Sequence, residues 1–128
     1  MTQREQVYQC EICGNIVEVV HVGKGQLVCC NQPMTLLDEN TTDASKEKHV
    51  PQVTRDGDTI YVQVGSTSHP MTAEHYIEWV ELIVGDLVER HYLSPGDSPE
   101  TSFAYRSSGQ PVIRAYCNLH GLWKAVLE

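Results

Sequence analysis

At 128 residues with a formal net charge of −8, the chain has room for one domain, or for a small one joined to a slightly larger one. So acidic a surface repels nucleic-acid phosphates, and an anionic substrate needs local positive charge to approach it. No apolar run reaches membrane-span length, Met1 to Gln6 lacks a signal-peptide core, and five cysteines are better ligands than disulfides, so a reducing cytoplasm is expected.

The chain opens with a unit expected at residues 1–37. Val7-Tyr8-Gln9-Cys10 and Ile16 to Val20 read as short strands, with Gly14-Asn15 as the turn between them. Gly23-Lys24-Gly25 makes a second turn, and Gln26-Leu27-Val28 leads into Cys29. The apolar content is too thin for a free-standing core, so a metal is expected to staple the unit. Cys10-x-x-Cys13 and the adjacent pair Cys29-Cys30 supply four thiolates for one tetrahedron. An ordinary zinc ribbon separates its second pair by two residues. Two neighbouring cysteines reach one metal only through an unusual backbone and an opened S–metal–S angle. Zinc gains nothing from that distortion, whereas iron can use ligand geometry to tune a redox potential. Iron is the favoured reading, with a purely structural zinc as the alternative.

Residues 38–46 are polar, carry no periodicity and read as a linker. From 47 to 128 strand signals recur. Thr59 to Val64 alternates after the Asp56-Gly57 turn, and Tyr76 to Val84 is a longer β-branched and aromatic run. Phe103 to Tyr105, Val112 to Tyr116 and Leu122 to Val126 follow between Pro- and Gly-bearing turns. With no helical periodicity, an all-β antiparallel sandwich is expected. The tryptophans and tyrosines read mainly as its core, and Trp123, three residues past His120, is also placed to pack on an imidazole.

Within this second part stand His49, His69, His75, Cys117 and His120. No zinc pattern in common use needs four imidazoles and one thiolate. An iron would use all five and keep a sixth position open, with the thiolate pushing electron density onto the metal. His69 and His75 flank a turn-like Pro70-Met71 segment. Cys117 and His120 have the spacing of ligands offered by one tight turn, with Gly121 easing the backbone after it. His21 and His91 stand apart from other ligands and read as surface or packed imidazoles.

These motifs, together with Glu47-Lys48-His49, His69-Pro70-Met71, His75-Tyr76-Ile77-Glu78-Trp79 and Tyr116-Cys117-Asn118-Leu119-His120-Gly121, resemble desulfoferrodoxin, the two-iron form of superoxide reductase. The resemblance covers almost the whole chain, in the family's order. It implies a small desulforedoxin-like domain followed by an immunoglobulin-like antiparallel β-sandwich, usually as a homodimer. It implies two irons per chain. One is an electron-transfer iron held by the four cysteines Cys10, Cys13, Cys29 and Cys30. The other is an iron held by the four histidines His49, His69, His75 and His120 together with Cys117. The implied activity is one-electron reduction of superoxide to hydrogen peroxide at the ferrous histidine–cysteine site, without oxygen evolution. A rubredoxin-like protein is the implied donor. Lys48 would draw superoxide in and organise water for proton delivery, and Glu47 would fill the sixth position once the iron is ferric. Two other readings compete: a non-catalytic iron electron carrier with its second site closed, and a zinc-stabilised binding module.

Overall fold

A computed structural model describes residues 1–42, 49–106 and 109–127. All regular elements among them are strands: β1 (Val7–Gln9), β2 (Ile16–Glu18), β3 (Val28–Cys29), β4 (Gln32–Pro33), β5 (Thr35–Leu36), β6 (Glu39–Asn40), β7 (Pro51–Asp56), β8 (Thr59–Val64), β9 (Ile77–Val84), β10 (Leu87–Tyr92), β11 (Glu100–Ala104), β12 (Val112–Cys117) and β13 (Gly121–Val126). No helix among the described residues is long and apolar enough to cross a membrane. Two compact units emerge, Met1–Asp38 and Glu39–Glu128.

The first unit is a three-stranded sheet in the order β2-β1-β5 with a separate β3–β4 hairpin. Its buried apolar side chains are Val7, Cys10 and Val19, while Ile12, Val20 and Val28 are exposed. So little burial cannot offset the entropy of ordering nearly forty residues.

The second unit packs a five-stranded sheet, β10-β9-β12-β13-β6, on a three-stranded one, β11-β8-β7. Ile60, Val62 and Val64 of β8 face Val80, Leu82 and Val84 of β9 and Ile113, Ala115 and Cys117 of β12 across the core. Alternation alone would turn Ile77 away from Val80. A bulge between Tyr116 and Cys117 pairs Cys117 with Ile77 and drops Glu78 from the ladder, so Ile77 also faces inward.

Two edge strands, β7 and β10, carry no clean sequence signal. Pro51–Asp56 and Leu87–Tyr92 are mostly exposed or half-buried, so neither needs an apolar alternation. The expected linker contains one short strand. Within 38–46, Glu39–Asn40 forms β6 and runs parallel to β13, an exception to the otherwise antiparallel sheet; residues 43–46 lie outside the described residues. The Asn40 amide donates to the Leu122 carbonyl at 3.1 Å, and Glu39 accepts from Arg114 at 3.1 Å and pairs with Lys124 at 3.4 Å.

Arg114 belongs to a charge ladder on the outer face of the larger sheet. The Glu81 carboxylate, fully buried, accepts from Arg114 Nε at 2.8 Å and from Arg90 Nη2 at 2.5 Å. Strand register sets this up, because Glu81 lies opposite Arg90 on one side and Arg114 on the other. A buried carboxylate is tolerated only with such partners. Glu81→Ala leaves the buried Arg114 guanidinium with the half-exposed Glu39 as its remaining named carboxylate partner and is expected to cost about 3 kcal/mol in urea unfolding of the second unit. Glu81→Leu combined with Arg114→Met should recover most of that loss, and a double variant as unstable as the single one would refute the pairing.

Candidate metal centres

The first cluster forms where two tight turns meet. After β1, the Cys10–Gly14 segment closes a knuckle in which Gly14 N–H donates to the Cys10 carbonyl at 3.0 Å and Cys10 N–H to that of Asn15 at 2.9 Å. Gly14 sits at φ +83°, a conformation a side chain would disfavour. Opposite it, Cys29 pairs with Gln32 across β3 and β4, leaving Cys30 and Asn31 as a two-residue loop. Both have positive φ, 52° and 64°, as a type I′ hairpin requires. This is the unusual backbone that adjacent cysteine ligands demand. Asparagine tolerates the left-handed region, whereas cysteine adopts it at a cost of about 1 kcal/mol or more.

The four sulfurs lie within 4.8 Å of one another. Cys13 Sγ and Cys29 Sγ are 3.5 Å apart, and Cys29 Sγ and Cys30 Sγ 4.0 Å. A tetrahedral metal with bonds of about 2.3 Å separates its sulfurs by about 3.8 Å, so these distances suit a shared ion. They are far too long for disulfides, and none of the five cysteines forms one. The thiols differ in how readily they ionise. Cys13 backbone N–H, 3.4 Å from Cys10 Sγ, is the main cause holding the Cys10 thiol down to about 6. Hydrogen bonding to its neighbours, first of all Cys13, pushes Cys30 up to about 12 and raises Cys29 in the same way. One sulfur is readily ionised and two resist ionisation until a positive charge arrives.

The second cluster gathers at one end of the sandwich. His49 precedes β7, His69 and His75 lie in the loop between β8 and β9, Cys117 ends β12, and His120 sits just before β13. Antiparallel register brings these positions together, because β12 ends where β9 and β13 begin. Around the ring, centroid separations are 4.7 Å from His49 to His69, 4.7 Å from His69 to His75, 5.0 Å from His75 to His120 and 4.9 Å from His120 to His49. The diagonal from His49 to His75 is 6.4 Å, so four imidazoles stand at the corners of a near-square. Donor atoms of His49, His69, His75 and Cys117 all lie within 4.8 Å of one another. His49 Nε2 is 3.2 Å from His120 Nδ1, close to the roughly 3 Å expected of neighbouring nitrogen ligands on one metal. Cys117 Sγ, fully buried, is 3.8 Å from the same His120 nitrogen. Imidazoles with a single thiolate suit iron, copper or zinc.

Backbone contacts aim these side chains. His69 Nδ1 lies 2.7 Å from the Pro70 carbonyl, so that nitrogen carries the proton and Nε2, buried from solvent, presents its lone pair. Thr72 and His75 exchange backbone hydrogen bonds of 2.9 and 3.2 Å in a closed turn. Asn118 accepts from Tyr76 N–H at 3.0 Å and donates to the Glu74 carbonyl at 3.0 Å, tying the His75 loop to the turn carrying Cys117 and His120. Gly121 at φ +87° reverses the chain after His120. Asn118 escaped the sequence reading, although an asparagine inside a ligand turn was its available signal.

All nine expected ligands thus fall into two groups of four and five. Glu47 and Lys48 lie outside the described residues. His91 is engaged elsewhere, stacked on Phe103 at 4.2 Å with Nδ1 2.6 Å from Thr101 Oγ1 and Nε2 2.8 Å from a Glu89 oxygen. Trp79 stacks on Tyr116 at 5.8 Å, away from the imidazole ring.

Metal removal should act on the two units differently. A strong chelator at neutral pH is expected to unfold residues 1–38, read as loss of amide protection there, while the sandwich core stays protected. Affinity of the first cluster should rise with pH, because Cys29 and Cys30 must lose raised-pKa protons for the metal to enter. Retained protection throughout the first unit after complete metal removal would contradict the staple.

Comparison with known proteins agrees with this two-cluster architecture. Residues 2–37 match the family described as desulfoferrodoxin, N-terminal domain, and residues 41–126 match the family described as desulfoferrodoxin. The chain is 56% identical to a desulfoferrodoxin homolog of Archaeoglobus fulgidus over 98% of its own length and 99% of that protein's. It is 48% identical to the desulfoferrodoxin of Nitratidesulfovibrio vulgaris, covering 98% of each. Among solved structures, the superoxide reductase from Treponema pallidum superposes with a TM-score of 0.78 at 29% identity, covering 96% of this chain and 99% of that one. With both halves matched in order and both ligand clusters assembled, the chain belongs to the desulfoferrodoxin family.

Proposed function

We infer that this chain is a superoxide reductase of the desulfoferrodoxin type, converting superoxide to hydrogen peroxide by one-electron reduction without releasing oxygen. The observation that carries this reading is the ring of His49, His69, His75 and His120 with the buried Cys117 thiol beside it. We propose iron in both clusters, an assignment supported by family membership and by donor type. Ferrous iron in the histidine–cysteine ring would supply the electron and an open position for superoxide.

The protein's own groups do the rest. Asn118 and the Pro70 carbonyl hold the donors in place before any ligand arrives, which spares reorganisation during turnover. His120 is exposed, so water reaches this end of the sandwich and can furnish the two protons that hydrogen peroxide needs. Lys48 supplies the local positive charge that draws superoxide in against a net charge of −8. Glu47 would offer a carboxylate ligand to the oxidised metal, a role that rests on the family resemblance. We further propose a rubredoxin-like donor, electron transfer as the role of the four-cysteine centre, a cytoplasmic location in keeping with five free cysteines, and a homodimer. The donor, the electron-transfer role and the homodimer rest on the family resemblance.

Stepwise oxidation followed by visible spectroscopy, with iron and zinc quantified on the same sample, tests the metals. Two thiolate-to-iron absorptions at distinct potentials are expected, and zinc filling both sites would favour the binding-module reading instead. Pulse-radiolysis kinetics test the activity. Fast oxidation of the ferrous protein by superoxide without oxygen evolution is expected, whereas oxygen release would indicate dismutation. Lys48→Ala should slow that step about tenfold at low ionic strength and flatten its salt dependence, with iron retained. An unchanged rate would remove Lys48 from the mechanism.

A further inference from the structure

Trp123 touches two of the five residues in the second ring by two different kinds of contact. Its indole stacks on the His49 imidazole, with centroids 4.6 Å apart and planes inclined by 16°. The indole N–H donates to the backbone carbonyl of His120 at 3.1 Å. His49 and His120 are themselves adjacent, their rings 4.9 Å apart and inclined by 73°, so the three residues close a triangle. Ala115 lies opposite Trp123 across β12 and β13, and its small side chain leaves room for the indole.

The chain connectivity explains why such a tie is needed. His49 and His120 are 71 residues apart and belong to segments with no ladder pairing to each other. His120 sits in the three-residue loop between Cys117 and Gly121, where a peptide plane can tilt and carry the ring with it. A leucine could fill the same space but would offer neither a flat face to the imidazole nor a donor to the carbonyl. A phenylalanine would keep the face and lose the donor. The half-buried indole meets both requirements while leaving one edge towards solvent.

We propose that Trp123 is a positioning residue of the histidine–cysteine centre, setting the ring plane of His49 and the turn that presents His120 before the metal enters. The proposal rests on the metal-site reading above and adds a residue that holds ligands without being one. Positioning partners of this kind act on affinity and on the electronic character of the site more than on the fold.

The test uses the full chain, with cobalt(II) and ferrous iron as the probes. In Trp79→Phe, Trp123 is the single tryptophan, and filling the second site should quench most of its emission through the stacked imidazole. Trp123→Leu is expected to weaken metal retention at the second site by about 10–100-fold and to shift the Cys117-to-metal absorption. The four-cysteine absorption in the same molecule should stay unchanged and serves as the internal control. Trp123→Phe should recover part of the affinity through its remaining ring. Both variants binding and absorbing like wild type would overturn the proposal, as would emission in Trp79→Phe that ignores site filling. If Trp123→Leu fails to fold, the Phe variant and the emission measurement still decide. Failure of the metal-site reading looks different, because wild type itself would then take no metal at the histidine–cysteine ring.

Discussion

Four imidazoles and a thiol have to be held at one end of a β-sandwich with their donor atoms close enough to share one cation. Much of the second unit serves that single constraint. The bulge that brings Ile77 opposite Cys117 keeps the core closed beneath the sulfur. Asn118 ties the two ligand loops together, and the Pro70 carbonyl selects the His69 tautomer. Asn118 and the Pro70 carbonyl act through polar contacts, those of Asn118 reaching more than 40 residues along the chain. Hydrogen bonding thus shares with the apolar core the task of preparing the donor ring. Chemistry at such a centre benefits because a ligand set already in place needs little rearrangement between oxidation states.

The first unit solves a different problem by similar means. With Val7, Val19 and Cys10 as its buried apolar groups, it has little hydrophobic stabilisation of its own, and the four sulfurs take over the role of a core. Adjacent cysteines are the awkward part. A type I′ turn accommodates them by moving strain into Cys30 and Asn31, where the backbone adopts positive φ. Cys13 and Cys30 are exposed, so this cluster is accessible from solvent.

Legibility followed burial. Strands with an apolar face, such as Thr59–Val64 and Val112–Cys117, announced themselves because alternate residues must enter the core. Edge strands β7 and β10 did not, since a strand with one open side can be polar throughout. The short β6 strand hid in a polar stretch because its pairing depends on Arg114, Lys124 and Leu122, 75 or more residues away. Nothing in the sequence near Glu81 accounts for a buried carboxylate; only the strands paired on either side supply the arginines that let it be buried.

The sequence by itself determined the chemical vocabulary: two ligand sets, their donor types, the adjacent pair that requires an irregular turn, and the alternation that builds a sandwich. Each of these depends on residue identity and short spacing, which local physics can read. Tertiary structure alone decided the order of the imidazoles around the ring, the burial of the Glu81–Arg114 pair and the double contact of Trp123. Those features arise from register between strands far apart in the chain, and register is an outcome of packing the whole unit at once.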